Sequence, residues 1–285
     1  SEVARHIERL EQMRPRVVVG QLTGAVGTQA AIGERGLEVQ ETMMELLGLS
    51  PVDVSNQVIA RDRYAEYFMY LANVATTLDK IGIEVRTLQR TEIGEVEEQF
   101  GSRQVGSSTM PHKRNPIRSE QVCGLARVVR SSVEPALGNN TLWDERDLTN
   151  SSCERVLFPE ASVLADHIVT VMTSVLDGLV IRPDRVAKNL SLLHGVNMAE
   201  SVMIALAERG MDRQMAHELL RRASMDALER DVPLLDILSG DSDVTAAIPV
   251  RELEVLLDPS RYIGTAPQQV DKLVEKLAPL SRGSV

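Results

Sequence analysis

Apolar positions along this chain recur with helical spacing nearly throughout. The clearest series is Tyr67, Leu71, Val74, Leu78, Ile81, Val85 and Leu88, alternately four and three residues apart. A seven-residue repeat of this kind puts one apolar seam on a long helix and favours a shallow packing angle against neighbours, in a bundle or between subunits. Core packing alone accounts for it. A second stripe, Leu164, Ile168, Val171, Val175 and Leu179, follows Pro159, and a third long helix is expected from about Ile117 until Pro135 disrupts it. Val17 to Val19 is the one strand-like candidate, too short to found a sheet. The fold class is therefore all-α.

After Leu179 the texture changes to shorter helices punctuated by Pro183, Gly195, Gly210, Pro233, Gly240, Pro249, Pro259 and Pro267. This places a boundary near residues 182–184: a long-helix bundle over residues 1–183, then a smaller all-helical domain over residues 184–285. Residues 212–228 and 267–280 read as amphipathic helices, with Pro267 suited to a first helical turn. At the other end Val3, Ile7 and Leu10 already keep helical spacing, with only Ser1 ahead of them as a capping residue. The chain is expected to begin inside a helix.

Composition narrows the class. With 285 residues and 43% hydrophobic content the chain can bury a sizeable core. Two cysteines, Cys123 and Cys153, supply no disulfide framework and no zinc-ligand spacing, which favours a reducing, cytoplasmic setting with both thiols as small packed side chains. Uninterrupted apolar runs of only a few residues give no membrane span, and no basic-then-apolar leader opens the sequence.

Charge then singles out one segment. The net charge is -10, yet residues 99–119 carry Arg103, Lys113, Arg114 and Arg118 and no acid. A local positive island in an acidic protein points to a small anion and away from a nucleic-acid surface. Within the loop at residues 101–118 lies Gly106-Ser107-Ser108-Thr109-Met110-Pro111-His112-Lys113-Arg114-Asn115-Pro116. A serine after glycine, near a lysine and before a helix, can be a nucleophile, a phosphate ligand or a proton-transfer group, and composition does not choose among them. The Gly-Xaa-Ser-Xaa-Gly elbow and the Gly-Lys-Ser/Thr phosphate loop are both absent.

That string matches the pattern Gly-Ser-Ser-Xaa-Met-Pro-Xaa-Lys-Xaa-Asn-Pro, and the chain thereby resembles the fumarase/aspartase superfamily. Within it the resemblance is to the adenylosuccinate lyase family. It rests on Leu142-Trp143-Asp144-Glu145-Arg146-Asp147, Ser151-Ser152-Cys153-Glu154-Arg155, Gly24-Ala25-Val26-Gly27-Thr28, and Gln57 with Arg61-Asp62-Arg63. The resemblance implies a β-elimination releasing fumarate from adenylosuccinate, giving AMP, and likewise from the succinyl-carboxamide ribotide of purine synthesis. It also implies a homotetramer with shared active sites and an anionic nucleotide substrate, with no metal or organic cofactor, since acid and base groups suffice for the elimination.

Residue by residue, the resemblance makes Ser107 the general base. A neutral serine is a poor base, so an alkoxide stabilised by backbone N–H groups and Lys113 is required. Lys113 and Asn115 would hold the carboxylate on which charge grows. Glu120 would orient the acid histidine, although a first-turn glutamate is also favoured by the helix dipole alone. Gln57, Ser108, Met110, Arg146, Ser151 and Arg155 would contact substrate, the arginines gripping oxyanions through paired hydrogen bonds. Glu145, Asp147 and Glu154 stand close enough in sequence to pair with those arginines instead.

None of His6, His112, His167, His194 and His217 matches the family's acid; His167 reads as a core or interface side chain. The family's Thr-His segment, and the small helical domain ahead of it, would precede Ser1, so the resemblance implies that this chain is part of a longer enzyme and incomplete for activity alone. Two other readings stay open: a carboxymuconate cycloisomerase-type member, or a noncatalytic fragment forming only the oligomer core.

Overall fold

The computed structural model describes residues 1–99, 110 and 113–281, and it is built almost wholly of helices. Contacts divide the chain into two compact units, Ser1–Ile181 and a second beginning at Arg182. The first holds α1 (Glu2–Val17), α2 (Gly36–Leu47), α3 (Asp62–Leu88), α4 (Ile117–Ser131), α5 (Val133–Gly138) and α6 (Thr149–Asp177). Two-residue strands punctuate it. β1 (Val19–Gly20) pairs in parallel with β2 (Ser50–Pro51), and β3 (Val96–Glu97) pairs antiparallel with β4 (Val180–Ile181). The last pairing returns the chain to the first unit just before Arg182, which explains why the division falls there.

The α3 seam packs as its spacing dictates. Leu71, Leu78 and Val85 are buried, and Tyr67, Val74 and Ile81 lean on the same core. α3 packs along α4 and α6, while α1 and α5 lie against α3. Phe68 is wholly enclosed, with its ring 4.8 Å from that of Phe158. Burial of a side chain this size contributes about 1.5–3 kcal/mol. At Gly82 α3 comes close to α4: a Cβ there would stand 2.8 Å from Cys123 Sγ and 3.2 Å from the Ser119 carbonyl. That proximity is why a helix interior tolerates glycine at this point.

Two helix boundaries differ from the sequence reading. The third long helix ends at Ser131, ahead of Pro135, which sits in the first turn of α5. A proline there costs no helical hydrogen bond, because first-turn amides have no carbonyl to reach. α6 begins at Thr149 and runs through Pro159. Proline removes the amide that would bond the carbonyl of Arg155, but both residues are exposed, so water can take that carbonyl. By length and composition α6 could cross a membrane. Its apolar side is instead used in the core, with Ala161, Ala165, Ile168, Val171, Met172 and Val175 buried.

The second unit contains α7 (Pro183–Leu190), α8 (Ala199–Glu208), α9 (Arg213–Arg230), α10 (Leu234–Ser239), α11 (Ser242–Ala247), α12 (Val250–Leu256) and α13 (Ala266–Ser281). Val202, Leu206, Leu220, Leu234, Leu238, Ile248 and Leu253 form its own core. Aspartates start two of its helices. Asp212 Oδ1 accepts from the amides of Gln214 and Met215 at 2.9 and 3.1 Å, and Asp241 Oδ1 does the same for α11.

Candidate active site

Ser107 and Ser108, with His112 and Arg103, lie outside the described residues. The flanks of their segment are defined. Met110 is exposed, and its carbonyl accepts from the Lys113 amide at 2.9 Å. Lys113 is exposed, Asn115 is half-buried with its carbonyl accepting from Ile117 N, and Glu120 lies exposed in the first turn of α4.

Sequence reading missed the group that holds this region together, Glu98. The residue is 6% exposed, and its carboxylate accepts from Ser119 N at 2.7 Å, Ser119 Oγ at 2.5 Å and Arg118 N at 3.3 Å. These are first-turn amides of α4, so a residue about twenty positions upstream does the work of an N-cap. Gln89 braces it from α3's end: its Oε1 accepts from Glu98 N at 2.9 Å, and its Nε2 donates to the Arg114 carbonyl at 3.2 Å. The available signal was that Glu98 is the last acid before the acid-free stretch. The positive island is also smaller than composition suggested, because Arg114 pairs with Glu97 at 2.5 Å across that same junction.

The second part of the site is the start of α6. Arg146 is half-buried just ahead of the helix, Ser151 is half-buried in its first turn, and Arg155 is exposed one turn on. The nearby acids are largely spoken for. Asp147 accepts from the Thr149 hydroxyl and from the amides of Trp143 and Thr149 at 2.9 and 2.8 Å. Those bonds, the hydroxyl first, and then the charge of Arg146 hold its carboxyl below the usual aspartate range. Glu154 turns away from Arg155 to bind Arg61 on α3's N-cap. Arg146 Nε and Asn150 Oδ1 are left buried without a hydrogen-bond partner among the described residues. Groups in that condition are open to a water, a ligand or another protein group.

Gln57 is exposed in the turn between β2 and α3. Its backbone is held by a network of side-chain amides that the sequence did not announce. Gln21 Nε2 donates to the Gln57 carbonyl at 3.0 Å. Gln21 Oε1 accepts from Thr23 N at 2.9 Å, and the buried Thr23 hydroxyl meets Ser55 Oγ at 2.7 Å. Gln29 Nε2 donates to the carbonyls of Leu22 and Gly36, both at 3.1 Å, and Gln40 Oε1 accepts from Leu22 N at 2.8 Å. Gly27, at φ +79°, lets this loop press on the Ser55 carbonyl, where a Cβ would come within 2.0 Å of the oxygen.

The histidines divide by burial. His6 is buried on α1, its Nε2 sharing a hydrogen bond with Thr77 Oγ1 at 2.9 Å. His167 is exposed on α6, one position off the stripe through Ile168, which overturns the core half of its reading as a core or interface side chain. Cys123 is buried, with burial pushing its thiol up, and Cys153 is half-buried beside Asn139.

Comparison with known proteins bears on these residues. A family profile described as lyase matches residues 1–131, and one described as adenylosuccinate lyase C-terminus matches residues 195–273. The adenylosuccinate lyase of Pyrococcus horikoshii is 52% identical over 281 residues, covering 99% of this chain and 62% of that protein. That of Methanocaldococcus jannaschii is 52% identical over 278 residues, covering 97% of this chain and 60% of that protein. Among solved structures, the 3-carboxy-cis,cis-muconate lactonizing enzyme of Pseudomonas putida superposes with TM-score 0.89 at 32% identity. That match covers 98% of this chain and 61% of the other. The fumarate lyase of Mesorhizobium sp. BNC1 gives 0.87 at 31%, covering 96% and 61%. The chain thus spans less than two thirds of the length of these relatives. On its sequence and its all-helical architecture together, it belongs to the adenylosuccinate lyase family of the fumarase/aspartase superfamily.

Proposed function

We propose that this chain is the larger part of an adenylosuccinate lyase, cleaving adenylosuccinate to AMP and fumarate and acting on the succinyl-carboxamide ribotide in the same way. The observation that carries this reading is the 52% identity to lyases of that name over nearly the whole chain. Within the site, the orphaned donor Arg146 Nε, three residues ahead of the helix that carries Ser151 and Arg155, supports an anionic ligand at the start of α6.

In this mechanism Ser107, as the alkoxide, removes the proton from the succinyl carbon next to the carboxylate; Lys113 offsets the charge that develops on that carboxylate and Asn115 donates a hydrogen bond to it. The electron pair left on that carbon then forms the double bond of fumarate as the carbon–nitrogen bond breaks, the latter's own pair passing to nitrogen. An acid group from elsewhere in the longer protein protonates that nitrogen, with Glu120 on α4 orienting it. Arg146, Ser151, Arg155 and Gln57 hold the phosphate, succinyl and amide groups, and Ser108 and Met110 complete the loop's contacts. A homotetramer with active sites shared between subunits fits the apolar residues left exposed on α6, Val156 at 62% and Val163 at 65%. A cytoplasmic location follows from the same reading.

The test is an ultraviolet assay of the full-length protein with adenylosuccinate, and with carboxymuconate as the competing substrate suggested by the lactonizing-enzyme neighbour. Turnover of adenylosuccinate is expected. Ser107→Ala should lower kcat by about three orders of magnitude or more with KM nearly kept. Turnover of carboxymuconate alone, or of neither compound, refutes the proposal, and near-normal turnover by Ser107→Ala removes the base from it.

A further inference from the structure

The mechanism above gives no part to Arg61 and Glu154, although they form an enclosed ion pair, with side chains 12% and 13% exposed. Arg61 stands at the N-cap of α3, four residues after Gln57. Glu154 lies on α6, three residues after Ser151 and next to Arg155. The pairing is forked: Nε donates to Oε1 at 2.8 Å and Nη2 to Oε2 at 2.6 Å. Nη1 donates to the Ile59 carbonyl at 3.2 Å, so the same guanidinium grips the turn that carries Gln57. Its flat face lies 4.3 Å from the Tyr64 ring, which meets Phe158 of α6 edge-on at 5.2 Å. Asn150 adds a bond from Nδ2 to Glu154 Oε2 at 3.2 Å.

All three nitrogens of this arginine are engaged by protein, which leaves it poorly placed to grip a substrate oxyanion. An enclosed pair also adds little net stability, since desolvation offsets the attraction. What a planar fork on a carboxylate does fix is distance and angle. Here it fixes the turn at residues 57–60 against the first turns of α6, two segments more than ninety residues apart in sequence.

We propose that the Arg61–Glu154 pair is a positioning element of the nucleotide site. It sets Gln57 at a fixed separation from Ser151 and Arg155, and acts through them without touching substrate. This rests on the adenylosuccinate lyase reading, and it adds two residues to the site through their geometry.

The experiment is steady-state kinetics of the full-length enzyme on adenylosuccinate with Arg61→Lys, Glu154→Gln and the double variant. Each single variant should raise KM by about tenfold or more while kcat stays within about threefold. The double variant should be no worse than the poorer single one, because both changes remove the same link. A merely structural loss lowers the active fraction, and so kcat, and leaves KM alone. Unchanged KM in a folded single variant overturns the proposal. So do multiplicative effects in the double variant, which would make Arg61 a direct ligand. Should both single variants fail to fold, Glu154→Asp keeps the charge and draws the carboxylate back by one methylene, opening the fork; a rise in KM of about threefold supports the proposal and an unchanged KM overturns it. A wild-type enzyme inactive on adenylosuccinate defeats the functional reading itself, an outcome distinct from normal wild-type activity with indifferent variants.

Discussion

Replacing Glu98 by alanine tests how the start of α4 is held. The carboxylate accepts from Ser119 N at 2.7 Å, Ser119 Oγ at 2.5 Å and Arg118 N at 3.3 Å, and Ser119 is fully buried. Removing it leaves two first-turn amides that no helical carbonyl reaches. Loss of a cap alone costs about 1 kcal/mol. A buried donor left without an acceptor costs about 1–3 kcal/mol, and Ser119 contributes two such donors, while the longer Arg118 contact counts for little. Water entering the vacated space recovers part of this, so about 3 kcal/mol is expected for the alanine variant. Glu98→Gln keeps an oxygen for the Ser119 amide and loses the charge facing the helix's positive end, about 1 kcal/mol. Native-state hydrogen exchange reads the effect locally, without requiring both units to unfold together. The Ser119 amide should exchange on the order of 100-fold faster in Glu98→Ala and about fivefold faster in Glu98→Gln. An alanine variant within about threefold of wild type would falsify the assignment of Glu98 as the cap.

Two further predictions concern other parts of the first unit. Gly27→Ala forces a side chain into a positive-φ position against the Ser55 carbonyl. It should cost about 2–4 kcal/mol and raise KM through Gln57; a melting temperature within about 1 °C of wild type counts against it. His6 has its pKa lowered by burial and then by the charge of Arg9, with Glu2 opposing and the uncharged Thr77 and Tyr70 facing the ring from α3. Its unfolded pKa is therefore the higher one. The unfolded chain binds more protons in the window between the two values, so this contribution is complete above the ordinary histidine pKa and is lost as pH falls through the folded value. Denaturation curves from about pH 7 to about pH 5 should fall more steeply for wild type than for His6→Gln, and parallel slopes would contradict the assignment.

The helices were largely legible because a seam such as Leu71, Leu78 and Val85 is a local pattern, repeated often enough to stand above noise. The start of α6 was not legible: its apolar stripe was read only after Pro159, yet exposure of Arg155 lets the helix run through that proline from Thr149. The site was legible in part, since short motifs marked the loop and the start of α6. The roles of Glu98 and Gln21, and the partner of Arg61, were not legible, for a physical reason. The partners of these three residues lie 21, 36 and 93 residues away, and no periodicity encodes a hydrogen bond made by chain folding. The same distance effect resolved the arginines: Glu154 was adjacent to Arg155 in sequence but faces Arg61 in space.

Gln21, Gln29 and Gln40 secure the loop around Gln57 with carboxamide groups, which neither gain nor lose a proton between strong acid and strong base. Uncharged bonds are also indifferent to ionic strength, unlike exposed ion pairs. The carboxamide side of Gln57's seat is thus buffered against its surroundings: acidity or salt that alters substrate affinity must act through charged groups, the Arg61–Glu154 pair among them, or through the anion itself, and not through these glutamines.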